Sequence, residues 1–359
     1  MSEDIKLFVS CHKLDTHIPD NALLQPIQVG AALAASRRPN LLDDEGDSIS
    51  EKNRSYCELT GQYWAWQNTD ADYYGFLHYR RYFNFSKTEY PIHHEPFIFG
   101  DVTFDRNDDE TLQRIDFNEE AMRKVITAHD FIAPEPIEAL EKTTVYEQYR
   151  DSFGHHIEDL DTVMDNIRLK YPDIWPSAQK YLNQTKVYVC NMFVMRRELF
   201  RAYSAFLFDV LSTHEKMRDF SHYSPVARRV SGYLGERICG MYLTYLYDKG
   251  YDGIDLQRVY FRNTDDGQRP ATAIGTTGEI ETLNFDATVR EPGKIYSAIH
   301  VEHLSDDWQF RISSTTSDGK QVPAKVVQAA SGPVAVFPIV AQSQTVSVSA
   351  VDADGRTRA

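Results

Sequence analysis

Apolar positions follow two different rhythms along the chain. Up to about residue 250 they form long runs and helix-spaced stripes, and beyond Gln268 they form only short alternating runs. The first run, IKLFVSC at Ile5–Cys11, is almost unbroken and turns polar at His12-Lys13. An unbroken run predicts a strand buried on both faces, as in a parallel sheet. Residues 41–52 read as an acidic loop. Ser55 and Glu58 fit an S-x-x-E capping box, and Leu59, Tyr63 and Trp66 then recur at helical spacing. A second strand, Tyr73-Tyr74-Gly75-Phe76-Leu77, ends in His78-Tyr79-Arg80-Arg81. Strand, helix, strand opens an α/β sheet.

Further on, residues 90–111 carry Pro91, Pro96 and Gly100 and read as a long loop. A short helix and a strand at 131–133 follow, then a polar helical stretch over 144–171 and a strand over 186–195. Two apolar-striped helices come next, at 196–217 and 232–250, with Gly250 placed as a C-terminal cap. From Gln268 on, runs such as WQFRISSTT and VAVFPIVA, separated by Gly, Ser, Asp and Pro, predict a small all-β, sandwich-like module. The expected division is residues 1–270, an α/β domain with a Rossmann-type sheet and flanking helices, and residues 271–359, the β module.

Length and composition agree with this. The chain has 359 residues, 42% hydrophobic and 25% charged, enough for a sizeable core and an appendage. A net charge of −15 argues against nucleic-acid partners, which need a basic surface. The cysteines Cys11, Cys57, Cys190 and Cys239 are widely spaced and form no metal or disulfide pattern, which fits a reducing compartment. The apolar run near the N-terminus is too short for a signal peptide, and no stretch reaches the length of a membrane span. The expectation is a cytoplasmic protein.

Candidate chemistry sits where strands end, because open α/β sheets bind ligands at the carboxyl ends of their strands. There stand His12, after the first strand, and His78, Arg80 and Arg81, after the second. Guanidinium forks match phosphate oxygens, so the second group is a diphosphate clamp or a solvated strand end. The stretch DDEGDSISEKN offers carboxylates, hydroxyls and an amide to a ribose, base or sugar, or else is a solvated loop; it lacks calcium-loop spacing. Glu236 and Arg237 stand at the start of an apolar helix after two glycines, where the carboxylate is either a favourable helix-end charge or a general base. Adjacent His155 and His156 point to different sides of a helix and do not suggest a shared metal. No GxSxG, P-loop, HExxH or GxGxxG motif occurs.

Four segments, SEKNRSYCELTGQYWAWQN, ADYYGFLHYRRYF, NMFVM and GYLGER, resemble in order the bacterial family DUF4422 over roughly residues 4–250. The resemblance implies a GT-A-type glycosyltransferase of capsule, exopolysaccharide or O-antigen synthesis, with galactofuranosyl transfer from UDP-galactofuranose as the expected activity. It implies inversion by one displacement, with Glu236 as general base. Donor contacts are then expected from His12, Asp47, Ser50, Asn53, Tyr56, His78, Arg80 and Arg81, and acceptor contacts from His155, Asn191 and Arg237. The strand end that carries a metal-binding D-x-D in typical GT-A enzymes carries His78-Tyr79-Arg80-Arg81 here. Asp70 and Asp72 form a literal D-x-D but precede the strand, so no metal cofactor is expected, with Mn or Mg as the alternative. The expected partners are a UDP-sugar and a lipid-linked glycan, met at the inner face of the plasma membrane. The alternatives are a metal-dependent or retaining transferase with a UDP-pyranose donor, and a non-catalytic glycan-binding or scaffold protein.

Overall fold

The structure, a computed structural model, describes residues 3–11, 16–37, 41–95, 98–139, 143–152, 154–221, 223–224 and 226–264, and the backbone of the strands that follow. His12, Pro96 and the expected boundary at residues 270 and 271 lie outside the described residues. The chain runs β1 (Ile5–Cys11), β2 (Leu24–Gln28), β3 (Leu41–Leu42), α1 (Asn53–Tyr56), α2 (Leu59–Asn68), β4 (Tyr73–His78), β5 (Arg81–Phe83), β6 (Ile92–Glu95) and β7 (Ile98–Arg106). It continues through α3 (Asp109–Arg114), α4 (Glu119–Ile126), β8 (Phe131–Pro134), β9 (Ile137–Glu138), α5 (Val145–Asp151), α6 (Ile157–Lys170), α7 (Trp175–Asn183), β10 (Lys186–Val187) and β11 (Phe193–Arg196). Next come α8 (Arg197–Met217), α9 (Val230–Asp248), β12 (Gly253–Leu256) and β13 (Arg258–Asn263).

The central sheet is mixed α/β and GT-A-like. β3, β2, β1 and β4 are parallel neighbours, β11 runs antiparallel between β4 and β8, and β12 lies parallel to β8. Side chains alternate across it. Phe8, Tyr74, Phe76, Phe131, Phe193 and Met195 enter one core with α8 and α9, while Leu7, Val9, Leu77, Ile132 and Val194 enter the other with residues of α3 and α4. Both faces are covered, which is why β1 and β4 read as unbroken apolar runs. Gly75 is needed between the layers, since a Cβ there would lie 2.4 Å from Leu7 and 3.1 Å from Val194.

α8 buries Leu199, Phe200, Tyr203, Phe206, Leu207, Val210 and Leu211 at helical spacing. Phe200 stacks on Tyr74 at 4.2 Å. Burial of each such side chain stabilises by roughly 1.5–3 kcal/mol. Gly250, at φ 81°, closes α9 as expected: its N–H bonds to Tyr247 O, and that of Tyr251 bonds to Leu246 O.

Three expectations need correction. Residues 90–111 are not a loop, because β6 and β7 pair antiparallel and β7 lies parallel to β13. The strand expected over 186–195 is broken by a turn at Cys190-Asn191. Ser55 caps nothing: it lies within α1 and bonds to Ser231 Oγ at 2.9 Å, while α2 starts after Glu58 without a side-chain cap.

Beyond residue 283, eight strands form two four-stranded antiparallel sheets, in agreement with the all-β reading. Among the described residues no helix is long and apolar enough to cross a membrane.

Candidate functional site

β1, β2 and β4 deliver Ser10, Val29 and His78 to one wall of a cleft of about 840 Å³. Asn53, Arg54, Cys57 and Glu58 form a second wall, Cys190 a third, and Arg228 and Arg229, just before α9, with Tyr233 and Glu236 of its first two turns, the fourth. Two glycines let these walls meet. A Cβ on Gly232 would sit 2.9 Å from Cys57 Sγ, and one on Gly235 would sit 2.6 Å from Leu59 Cδ1. They share one face of α9, so the helix lies directly on α1 and α2.

β4 and β5 are joined by the two-residue turn Tyr79-Arg80, with His78 opposite Arg81. Cross-strand partners project to the same side. Hence His78 and Arg81 line the cleft together, while Arg80 does not. Arg80 instead lies over the Tyr79 ring at 5.2 Å and bonds to Tyr260 OH at 3.4 Å, so the expected pair of arginines is reduced to one. His78 Nε2 is 2.5 Å from Cys190 O. A carbonyl can only accept, so Nε2 carries the proton. The Arg81 guanidinium lies over the Tyr260 ring at 4.9 Å and reaches buried Asp101 at 3.4 Å, a carboxylate that also accepts from Arg258 Nε at 2.6 Å.

Glu236 reaches the cleft from the seventh residue of α9, two turns in, so it is not a helix-end charge. Its Oε1 accepts from Cys190 N–H at 3.0 Å, and its Oε2 lies 3.6 Å from Arg237 Nη1. Glu58, unforeseen from the sequence, is the second cleft carboxylate, and its Oε1 accepts from Asn191 Nδ2 at 2.6 Å. Cys190 and Asn191 both have positive φ, 78° and 45°, an uncommon and strained state for residues other than glycine. Burial pushes the Cys57 and Cys190 thiols up to about 11 against the pull of nearby arginines, so neither is a thiolate nucleophile at neutral pH.

Three expected acceptor residues stand behind the cleft rather than in it. Asn191 is 4% exposed and spends its amide on Glu58 and on Gly232 O. Arg237 is 2% exposed and bonds to Gln148 Oε1 at 2.6 Å, because a residue next to Glu236 on a helix points about 100° away. His155 lies between the Tyr149 and Tyr233 rings, 4.3 Å from each. Burial, then the Arg237 charge, lowers its pKa to about 3, so it is neutral.

The acidic stretch contributes less than expected. Asp47 is exposed and accepts from Tyr63 OH. Ser50 is buried and donates to Asp43, whose carboxylate also holds the Gly30 and Ala31 amides. Tyr56 is buried against Glu215, and burial and that carboxylate both raise its pKa. Of the four, only Asn53 lines the cleft. Asp70 and Asp72 lie at the far end of β4, paired with Arg197 and Arg201.

Sequence reasoning missed Arg54, Arg228 and Arg229. With Arg81 they put four arginines in the cleft against two carboxylates, within a chain of net charge −15. The adjacent pair Arg228-Arg229 ahead of the glycines was the available signal. Arg228 is positioned by Tyr223, whose carbonyl accepts from its Nε at 3.0 Å and whose hydroxyl is tied to buried Asp159 at 2.9 Å. Such a cleft suits an anionic ligand with neutral polar groups attached.

A family model described as a domain of unknown function, DUF4422, matches residues 6–247. Among solved structures the chain is similar to the apo form of WbbM, a bifunctional glycosyltransferase, at 31% identity and a TM-score of 0.68. That match covers 72% of this chain and 46% of the other, so this chain spans less than half the length of its neighbour. No curated protein matches.

Proposed function

The chain belongs to the DUF4422 family, and from that premise we propose that it transfers a sugar from a UDP-sugar to a glycan acceptor in cell-surface polysaccharide synthesis. The observation that carries this reading is the cleft itself: it opens where β1 and β4 end, and four arginines and His78 line it together with Glu236 in about 840 Å³. A diphosphate leaving group develops negative charge as the glycosidic bond breaks, and fixed guanidinium groups aimed at it stabilise that charge. Arg81, Arg228 and Arg229 hold the diphosphate. These cations take over the part that a D-x-D-bound metal plays in typical GT-A enzymes. Asn53 and Ser10 contact the nucleotide.

Glu236 takes the proton of the acceptor hydroxyl, which attacks the anomeric carbon in a single inverting displacement while UDP departs. The Cys190 N–H and the Arg237 guanidinium hold the carboxylate in place, aimed into the cleft. The donor sugar is galactofuranose and the acceptor a lipid-linked glycan at the cytoplasmic membrane face. Similarity to a bifunctional glycosyltransferase supports sugar transfer in general. The test is a screen of UDP-sugars with UDP release as readout, with and without Mn²⁺. UDP release from UDP-galactofuranose without metal, and a product of inverted anomeric configuration, are the expected results. Activity only with Mn²⁺, or a retained anomer, overturns the mechanism, and no UDP release from any donor overturns the function.

A further inference from the structure

Among the described residues four that are not glycine have positive φ: Cys57, Asp116, Cys190 and Asn191. Two of them, Cys57 and Cys190, line the cleft, and Asn191 lies directly behind it. Cys57, at φ 51° and ψ −131°, immediately precedes Glu58. Cys190 holds Glu236 through its backbone N–H, and the next residue, Asn191, holds Glu58 through its side-chain amide. One strained turn therefore grips both carboxylates of the cleft. Strain of this kind persists where the surroundings over-determine it, and here what it fixes is the spacing of two acids. The role assigned to Glu236 does not explain why Glu58 is held as well.

Charge narrows the group that Glu58 can meet. A carboxylate repels a diphosphate, and its Oε1 is taken by Asn191. Its Oε2 can accept from a donor, and hydroxyls are by far the most numerous neutral donors on a sugar nucleotide or a glycan, beside the single N–H of a uracil ring or an acetamido group. We infer that Glu58 is a substrate-binding residue that accepts a hydrogen bond from a sugar hydroxyl, and that the Cys190-Asn191 turn sets its distance from Glu236. This rests on the cleft being the sugar-transfer site. The hydroxyl belongs either to the donor sugar or to the acceptor sugar, and kinetics separate the two.

The experiment is steady-state kinetics on the full chain with Glu58→Gln. Glutamine keeps the length and can still take the Asn191 amide, but it presents an NH₂ where the hydroxyl must donate. The expected result is a KM raised by about tenfold or more for one sugar-bearing substrate, with kcat within about threefold of the parent. A rise confined to the donor KM assigns the hydroxyl to the donor sugar, and one confined to the acceptor KM assigns it to the acceptor.

Asn191→Gly suits the positive φ and removes the amide. It should raise the same KM and add nothing further in the double variant with Glu58→Gln. Unchanged KM values in Glu58→Gln overturn the inference, with or without a lower melting temperature. So does a collapse of kcat at constant KM, which would make Glu58 a base. A parent protein that neither binds UDP nor transfers sugar sinks the reading of the site, and the inference with it. An active parent with an indistinguishable Glu58→Gln sinks the inference alone.

Discussion

The two ends of β4 carry opposite charge motifs, and they have opposite fates. Before the strand, Asp70 and Asp72 face Arg197 and Arg201 at 3.0–3.4 Å on the surface. Two acids and two bases cancel there in solvent, where such pairs contribute about 0–1 kcal/mol. After the strand, Arg81 and Arg258 share the single carboxylate of Asp101, which is 1% exposed. Two positive charges meet one negative in a wall that opens on a cleft with three more arginines. A charged motif thus acquires a role from the end of the strand it occupies and from its local balance of charge. The D-x-D spelling at the wrong end forms ion pairs; the arginine at the right end faces the cleft.

The sharpest way to break this comparison is to treat neighbours differently. Arg81→Ala should raise the donor KM by the equivalent of roughly 2–5 kcal/mol, the range for truncating a desolvated charge contact. Arg80→Ala, whose side chain turns away, should change the donor KM by less than about threefold. Equal losses in both variants would mean that the hairpin does not sort the two arginines. Glu236→Gln should retain UDP binding and lose at least ~100-fold in kcat, the range for a general base. A kcat near that of the parent moves the base elsewhere. Glu58 is then the next carboxylate to test, since Asp47 lies outside the cleft.

The pH dependence probes the layer behind the cationic wall. His155 has a folded pKa of about 3, below its ordinary 6.5, so the unfolded chain takes up the proton first as pH falls. The stability gained from keeping it neutral is full above about 6.5 and is lost on acidification toward about 3. The melting temperature of the parent should therefore drop more steeply from pH 7 to pH 4 than that of His155→Phe. Parallel curves would show that this burial contributes nothing. The smallest effect belongs to the other end of β4: Asp70→Asn and Asp72→Asn should each shift stability by at most about 1 kcal/mol and leave catalysis unchanged.

Much of this was legible in the sequence. β1 and β4 declare themselves because both sheet faces are covered, and α8 and α9 because one stripe of each is buried. The polar ends of the strands located the cleft, and His78, Arg81, Asn53 and Glu236 all reach it. What stayed hidden depends on partners distant in the chain. The Cys190-Asn191 turn interrupts the apolar run VYVCNMFVM, and it is held by Glu58, His78 and Glu236 rather than by any local turn residue. β2 was missed because Pro26 within a short run argues against a strand. That Arg80 would turn away follows only once β5 is known to pair back at Arg81. Arg237 and His155 were chemically apt, but packing sent them behind the wall.

The central claim is that fixed arginines, rather than a metal held by carboxylates, bind the diphosphate. It is tested most directly by titrating UDP into the parent protein by calorimetry in the presence of EDTA, with Arg81→Ala and Asp72→Asn as comparators. The account expects saturable binding to the parent and to Asp72→Asn without metal, and binding weakened by at least about tenfold in Arg81→Ala. A parent that binds UDP only when Mn²⁺ is restored, or an Arg81→Ala variant that binds as well as the parent, contradicts it.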